Sequence, residues 1–347
     1  MTPRNRPFAA SAAMVAALAE AKQEWSTRLL KTAANDNPGT KALGALAAVH
    51  PDDNLVGIGT GEKIVGGKPT GVHALKFFVK VKYPLDHIAK RSRLPSQVQG
   101  LPVDVEEVGV LVAQRKPHRS LVQQTDIPDP RIRIRPAQPG SSIGFEDPLI
   151  KMAGTFGAVV RSGKTLYILS NNHVIANEDH LPVGSAIYQP GLLDGGDVRG
   201  DKIGEFTKAV SLQPNEPNKV DCAIARAVPQ SIVSREILHV GAPQGTAAAA
   251  IDMLVHKFGR TTAYRVGRVT SVDTDVKVEY ETGTLVFQNQ IIIAGLDMPF
   301  SAAGDSGSLI LERGTQRAVG LLFAGSDRIT IANHIQDVLE ALDVVLA

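Results

Sequence analysis

Residues 303–308 read AGDSGS and contain a candidate nucleophile, Ser306. A serine hydroxyl is a poor nucleophile unless a base takes its proton and amide donors stabilise the negative charge on the attacked carbonyl. The glycines allow a tight turn that can direct the N–H groups of Gly304 and Ser306 to one point, where an oxyanion could bind. The same residue types also make ordinary surface turns. The stretch therefore predicts a nucleophile only if a base and a carboxylate lie upstream.

His173 is the best candidate for the base. It follows the apolar segment 165–169, so a strand end could hold the imidazole in place. Histidine has the proton affinity that suits a general base near neutral pH. The other histidines have no comparable setting and are expected to be ordinary surface or core residues.

Asp221 is the best candidate for the carboxylate that orients the histidine. It lies within the apolar segment 220–225, which reads VDCAIA, and an aspartate buried in such a strand needs a partner. An aspartate that caps a turn at the start of the strand is the alternative interpretation. The weaker candidates are Asp252, Asp273 and Asp305.

A β scaffold is predicted to position these residues. From Ala153 onward the apolar segments are short, rich in β-branched residues and punctuated by glycine, which is typical of a sandwich or a barrel. Two separate strands are expected at 267–272 and 276–280, and a closing helix over 333–346. The predicted fold class is mainly β.

The amino-terminal part has a different character. An alanine-rich helix is predicted with Met14, Leu18, Trp25 and Leu29 on one side. Strands at 54–60, 74–82 and 103–112, with a short helix at 84–93, indicate a small α+β unit. The predicted organisation is an arm (1–39), an α+β domain (40–115), a proline-rich linker (116–150) and a catalytic domain (151–347).

Composition argues against several classes of partner. The net charge of +2 gives no electrostatic case for nucleic acid or an anionic membrane, and no stretch is long and apolar enough to span a bilayer. Arg131, Arg133 and Arg135 are interpreted as the solvated face of an extended strand. Cys222 is the single cysteine, so neither internal disulfides nor a cysteine zinc site is expected. A cytoplasmic location fits, as does an exported protein without disulfides, and no cofactor or metal is expected.

The order His173, Asp221, Ser306 on short strands is that of the chymotrypsin arrangement. Residues 153–335 resemble the trypsin/chymotrypsin-like serine peptidase domain. The motifs that carry the resemblance are NNHV at 171–174, VDCAIA at 220–225, GDSGS at 304–308, KFGRTT at 257–262 and LFAG at 322–325. Segments at 56–64, 75–80, 100–109 and 139–144 resemble the preceding domain of cytosolic trypsin-like proteins of bacteria and of the plant Narrow Leaf 1 group.

The resemblance implies a chymotrypsin-like double β-barrel, roughly 151–235 and 250–332, with the site between the barrels. Ser306 would attack a peptide carbonyl, His173 would carry the proton, and Asp221 would hold the imidazole. The amides of Gly304 and Ser306 would bind the oxyanion. Protein or peptide substrates are thus expected, and an oligomer remains possible.

The resemblance also suggests a specificity. Phe300, six residues before the serine, would lie at the base of the primary pocket, and residues 323–325 (Phe323, Ala324 and Gly325) would form its wall. This pocket offers no carboxylate to a basic side chain. We therefore predict a small or apolar residue before the cleaved bond.

Asp305 raises the question of activation. Many members of the resembled family become active when a freed amino terminus pairs with the aspartate beside the serine. This chain has a domain upstream, so it would be latent until cut, for instance before Ile143, unless the loop is ordered in another way. A non-catalytic scaffold, whose 40–115 domain binds a protein partner, is the alternative function; the intact triad argues against it. An α/β-hydrolase esterase is disfavoured because the serine follows both of its partners in the chain.

Overall fold

The computed structural model describes residues 11–30, 53–113, 127–147 and 152–347. The amino-terminal elements are α1 (Ala12–Leu29), β1 (Leu55–Val65), β2 (Lys68–Val79), β3 (Gln97–Val98), β4 (Leu101–Glu107) and β5 (Val112–Ala113). The middle elements are β6 (Ser142–Phe145), β7 (Gly154–Thr155), β8 (Ala158–Ser162), β9 (Thr165–Ser170), α2 (Asn172–Ile175), β10 (Ala186–Tyr188), β11 (Lys202–Ala209) and β12 (Ala223–Ala227). The last elements are β13 (Leu254–Gly259), β14 (Ala263–Tyr280), β15 (Gly283–Gly295), β16 (Leu309–Glu312), β17 (Ala318–Gly325), β18 (Thr330–His334), α3 (Ile335–Leu342) and β19 (Val345–Leu346).

Helix α1 confirms the helix predicted in the arm. Ser11 caps it by accepting a hydrogen bond from the amide of Met14, which satisfies one of the free donors of the first turn. Leu18 is fully buried against the strands that follow, and the Trp25 ring meets Phe77 edge to face at 5.4 Å. Lys22 adds a hydrogen-bonded ion pair with Asp275, at 2.6 Å. Helix α1 is therefore packed on the β structure.

The strands of the predicted α+β unit continue into a larger sheet. β1 pairs with β2 and with the second half of β14, and β2 pairs with β4. The strand predicted over 103–112 ends at Glu107, and the chain pairs again only in β5. The helix predicted at 84–93 is replaced by two single 3₁₀ turns, of which Leu85–His87 buries no side chain. A segment without a buried face has little to stabilise a longer helix.

β13 to β18 form a closed barrel. The strands pair in the order β13-β16-β17-β18-β15-β14, and β13 also pairs with β14, which closes the ring. The two strands expected at 267–272 and 276–280 are one long strand, β14, whose register shifts near Ser271 and Thr274 let it leave the barrel and reach β1.

The other sheet has the order β19-β8-β9-β12-β11-β10-β6-β7. β6 lies inside the predicted linker, yet its Ile143 is fully buried and it pairs with both β7 and β10. The helix predicted over 333–346 ends at Leu342, because Asp343 takes a left-handed conformation and β19 then joins β8.

The interpretation of Arg131, Arg133 and Arg135 as one solvated strand face is wrong. None of the three residues lies in a strand, although the Arg133 side chain is 59% exposed. Arg133 bonds to Asp201 at 2.7 Å, and Arg135 bonds to Asp201 and to the carbonyl of Gln189. Arg133 and Arg135 therefore fix this segment to the residue that precedes β11, since a buried carboxylate needs cationic partners.

The predicted fold class, a mainly β protein, is confirmed: the strands form two sheets, one of which closes into a barrel. Within the described ranges, no helix is long and apolar enough to cross a membrane.

Candidate active site

His173 and Asp221 meet where β9 ends and the neighbouring strand β12 begins. β9 pairs with β12 through Ser170 and Ala223, which places the turn into α2 beside the residues that precede β12. His173 Nδ1 lies 2.5 Å from Asp221 Oδ2, and both side chains are fully buried. Asp221 precedes the strand instead of lying within it, and its carboxylate binds the histidine as the sequence predicts.

The surroundings of Asp221 favour its charged form. Burial alone would raise the pKa of this carboxyl, but the charge of His173, its two hydrogen bonds and a hydrogen bond from Tyr280 outweigh burial and lower the pKa. Asn171 and Asn333 hold the backbone, the first by donating to the Asp221 carbonyl and the second by accepting from its amide. The carboxylate is thus ionised and fixed toward the imidazole.

Tyr280 is a functional candidate that sequence reasoning missed. It is the last residue of β14, and its hydroxyl donates to Asp221 Oδ2 at 2.7 Å. Its ring meets the His173 ring edge to face at 6.0 Å and stacks on Phe287 at 5.8 Å. The Glu178 carboxylate accepts from the amides at the tip of the β14–β15 hairpin and fixes that tip near α2. No local pattern marks Tyr280, because it reaches Asp221 only through the packing of one sheet against the other.

The Ser306 loop reaches the same junction through β7. The Thr155 amide donates to the Ser306 carbonyl at 2.8 Å, and the Ser170 hydroxyl donates to the Thr155 carbonyl at 2.8 Å. A Cβ at Gly154 would lie 2.5 Å from Val174 Cγ1 and 3.2 Å from the Ser306 carbonyl oxygen, so only glycine fits between the two loops. The structure therefore brings the neighbours of His173 and Ser306 into contact.

The Ser306 hydroxyl itself donates to the carbonyl of Phe323 at 3.2 Å. Phe323 is in β17, and its ring lies 4.7 Å from that of Phe287, which in turn stacks on Tyr280. The nucleophile candidate thus lies against β17, and the rings of Phe323, Phe287 and Tyr280 connect this strand to Asp221.

Two threonines orient the peptides of the predicted oxyanion loop. Thr261 Oγ1 donates to the Ala303 carbonyl at 2.7 Å, and Thr155 Oγ1 donates to the Gly304 carbonyl at 3.0 Å. In a planar trans peptide the N–H points opposite to the preceding C=O, so the bond from Thr261 fixes the direction of the Gly304 N–H. Such preorganised donors are what oxyanion stabilisation requires.

Asp305 is saturated by partners from the 257–262 segment. Its carboxylate accepts from the amides of Thr261, Thr262 and Ala302 and from the Thr262 hydroxyl. Lys257 Nζ lies 3.0 Å away, and both side chains of this ion pair are fully buried. Burial would raise the pKa of Asp305, but the Lys257 charge and these hydrogen bonds lower it. An internal cation therefore occupies the position where a freed amino terminus was considered.

The residues predicted to set specificity lie in two different cores. Phe300 packs inside the barrel with side chains from all six of its strands, and is 2% exposed. Phe323 and Ala324 pack in what we call the hairpin core. The hairpin core is the buried cluster that includes Val108, Leu111, Ala113, Val276, Val278, Tyr280, Leu285, Phe287, Phe323, Ala324 and Ile331. The structure thus brings Phe323 to Ser306, and it places Phe300 in the barrel interior.

Comparisons with known proteins bear on the fold alone. No protein-family model matches the chain, and no curated protein matches it. Similar solved structures include Thermobifida fusca Protease A, at 18% identity and a TM-score of 0.44, covering 60% of this chain and 97% of that one. A glutamic acid-specific serine protease matches at 19% identity and a TM-score of 0.44, covering 60% of this chain and 100% of that one. Cellulomonas bogoriensis chymotrypsin matches at 18% identity and a TM-score of 0.41, covering 60% and 97%. With TM-scores below 0.5, these likenesses add no support to a function.

Proposed function

We propose that the protein is a serine endopeptidase that hydrolyses peptide bonds through an acyl-enzyme. Ser306 Oγ attacks the carbonyl carbon while His173 takes the hydroxyl proton, and the Gly304 and Ser306 amides stabilise the oxyanion. The protonated His173 then gives its proton to the leaving amine. A water molecule attacks the acyl-serine by the same route, with His173 again as the base, and restores the free hydroxyl. No step calls for a cofactor.

The buried His173–Asp221 pair is the observation that carries this proposal. A histidine and an aspartate at 2.5 Å without solvent contact are costly to bury, and they lie beside a serine loop whose peptides are held by threonines. Ion pairs that serve stability alone do not need such a neighbour. The arrangement supports acyl transfer, because it provides a base, an orienting carboxylate and oriented amide donors in one place.

A fluorophosphonate probe tests the reaction directly. The wild-type protein should be labelled at Ser306, and Ser306→Ala should not be labelled while keeping the same thermal unfolding midpoint. His173→Ala should also lose labelling. A folded wild-type protein that takes no label, either fresh or after ageing, would overturn the proposal.

We propose a small or apolar residue before the cleaved bond. The proposal rests on the absence of acidic residues in the 322–325 segment, whose Phe323 carbonyl accepts a hydrogen bond from Ser306. Cleavage of a peptide mixture, followed by mass spectrometry of the products, tests it. Cutting mainly after lysine or arginine would contradict it.

We propose that the Lys257–Asp305 pair orders the serine loop without proteolytic processing. The earlier alternative, a cut before Ile143, would have to open β6, where this residue is fully buried. Mass spectrometry of aged wild-type and Ser306→Ala protein distinguishes the two: full-length labelled protein supports internal ordering, whereas labelling that appears only after self-cleavage supports latency.

A non-catalytic scaffold that binds a protein partner is the second candidate function. The observation that favours it is the burial of Ser306 and His173, which are both 0% exposed. A substrate can reach neither side chain until something moves.

A further inference from the structure

Beside Ser306, one edge of β17 is covered by β5, a strand from the amino-terminal part of the same chain. β18 pairs with one edge of β17 as far as Gly325. β16 covers the other edge only to Leu321, where it pairs through Leu309. From Phe323 onward this second edge would be free, yet β5 pairs there in antiparallel register, with Ala113 opposite Ala324 and Val112 opposite Gly325.

This edge is where an extended peptide would bind. Peptides often bind proteins by adding a strand to an exposed sheet edge, since main-chain hydrogen bonds then supply affinity. Phe323 begins the edge, and its carbonyl accepts from the Ser306 hydroxyl. β5 runs from its pairing with Gly325 toward its pairing with Ala324, and so toward Phe323 and Ser306. A peptide in the same direction would put the residues before its cleaved bond where Val112 and Ala113 now lie.

Buried side chains and one backbone hydrogen bond hold β5 in place, and a glycine turn separates it from β4. Leu111 and Ala113 are buried in the hairpin core, at 1% and 7% exposure, and the Leu111 carbonyl accepts from the Glu279 amide at 2.9 Å. The Val108 amide is tied to the Val79 carbonyl, and Gly109, with φ of +75°, then turns the chain out of the sheet. Residues from Val110 onward could thus leave β17 while β4 stays in place.

We propose that β5 is a specificity-determining strand that blocks the acyl-side subsites of the candidate enzyme. Substrates that bring little chain before the cleaved bond need only reach Ser306, whereas extended peptides must first displace Val112 and Ala113 from β17. This inference rests on the proposed function for its catalytic readout, and it makes a binding prediction that does not depend on catalysis.

The test compares Leu111→Ala with Leu285→Ala. Both substitutions remove the same atoms from the hairpin core, but Leu285 is in β15 and does not belong to β5. Loss of a buried leucine side chain should weaken the hold of β5 by at least about tenfold. We expect the ratio of kcat/KM for a blocked tetra-alanine anilide to that for an acetyl-alanine ester to rise about tenfold in Leu111→Ala and to stay unchanged in Leu285→Ala. An equal ratio in both variants and wild type would overturn the inference.

A second measurement separates this inference from the proposed function. In the Ser306→Ala background, calorimetry with a blocked tetra-alanine amide should give an affinity about tenfold higher when Leu111→Ala is added, because the peptide no longer competes with a well-anchored strand. Unchanged affinity would contradict the role of β5 even if the protein proves active. A protein that binds the peptide in this way yet takes no fluorophosphonate label would keep the inference and overturn the peptidase proposal.

A reversible crosslink covers the case in which Leu111→Ala fails to fold. Ala113 and Ala324 lie directly opposite each other, so cysteines at both positions would have their Cβ atoms about 5 Å apart, close to disulfide range. The doubly substituted protein, Ala113→Cys with Ala324→Cys, should bind the tetra-alanine amide only after reduction. Equal binding by the oxidised and the reduced forms would contradict the inference.

Discussion

Asp221 and Asp305 are both fully buried, but their partners differ in chemistry. Asp221 bonds to the imidazole of His173 and the phenol of Tyr280. Asp305 bonds to the ammonium group of Lys257 and to the backbone amides of residues 261, 262 and 302. A lysine in water is charged near neutral pH, whereas histidine can gain and lose a proton. Burial lowers the pKa of Lys257, and the charge of Asp305 opposes this fall. From this difference we expect the Asp305 region to stabilise the fold of the serine loop, and the Asp221 region to take part in proton transfer.

Asp221→Asn is expected to have the largest effect on turnover. The amide removes the charge that stabilises protonated His173, so kcat should fall by about four orders of magnitude while the fold persists. Ester hydrolysis and thermal unfolding measure the two effects. Asp201→Asn is the matched control, since this buried carboxylate bonds to arginines away from the site; a comparable loss of kcat there would remove the distinction.

Lys257→Met should chiefly change stability. It leaves Asp305 buried without its cation, and breaking a buried pair in this way costs about 3–5 kcal/mol in the free energy of unfolding. Urea unfolding measures the loss. Lys202→Met removes an exposed partner of Glu205, with the lysine side chain 42% exposed, and should cost much less, because solvent screens this pair. Equal losses in the two variants would show that the Asp305 region is not structural.

The same pair predicts a pH dependence of stability. The pKa of Asp305 is lowered in the folded protein, so its contribution is present above the unfolded value of about 3.9 and is lost as the pH falls through the folded value. Without Lys257, the burial that raises this pKa is no longer opposed by a cation. The midpoint of acid unfolding should therefore move to higher pH in Lys257→Met, as circular dichroism can follow, and stay in place in Lys202→Met.

Tyr280→Phe should have a smaller effect that is confined to the Asp221 region. The ring can still stack on Phe287, but Asp221 loses one donor, which should lower kcat about tenfold. The carboxylate then becomes a stronger acceptor for the protonated imidazole, so the acid limb of kcat/KM should move to higher pH. Tyr264→Phe removes a hydroxyl bonded to His256 and should leave the profile unchanged. An unshifted profile in Tyr280→Phe would show that Tyr280 does not position Asp221.

Thr261→Val is expected to have the smallest effect. It removes the bond to the Ala303 carbonyl and keeps the amide that serves Asp305, so the Gly304 peptide should lose part of its orientation. One neutral hydrogen bond corresponds to about a three- to tenfold decrease in kcat, with KM little changed. Thr261→Ser should restore kcat; failure of serine to do so would argue that the threonine methyl, and not its hydroxyl, is what matters.

Local pattern was sufficient for much of the fold. The alanine-rich helix with an apolar stripe and the short strands of the two sheets follow from residue type and periodicity. Boundaries failed where distant partners decide them. β14 continues through the predicted break because β1 and β15 pair with its second half, and the closing helix ends early because β19 pairs with β8.

For the candidate site, the sequence by itself determined which residue types could perform acyl transfer and in which order they occur. Each lies next to an apolar strand or a glycine turn, and such signals are local. Only the tertiary structure decided that Tyr280 meets Asp221, that Lys257 meets Asp305 and that β5 occupies the edge beside Ser306. These contacts join segments that are far apart in the chain, and sheet register chooses them, so no local spacing could have indicated them.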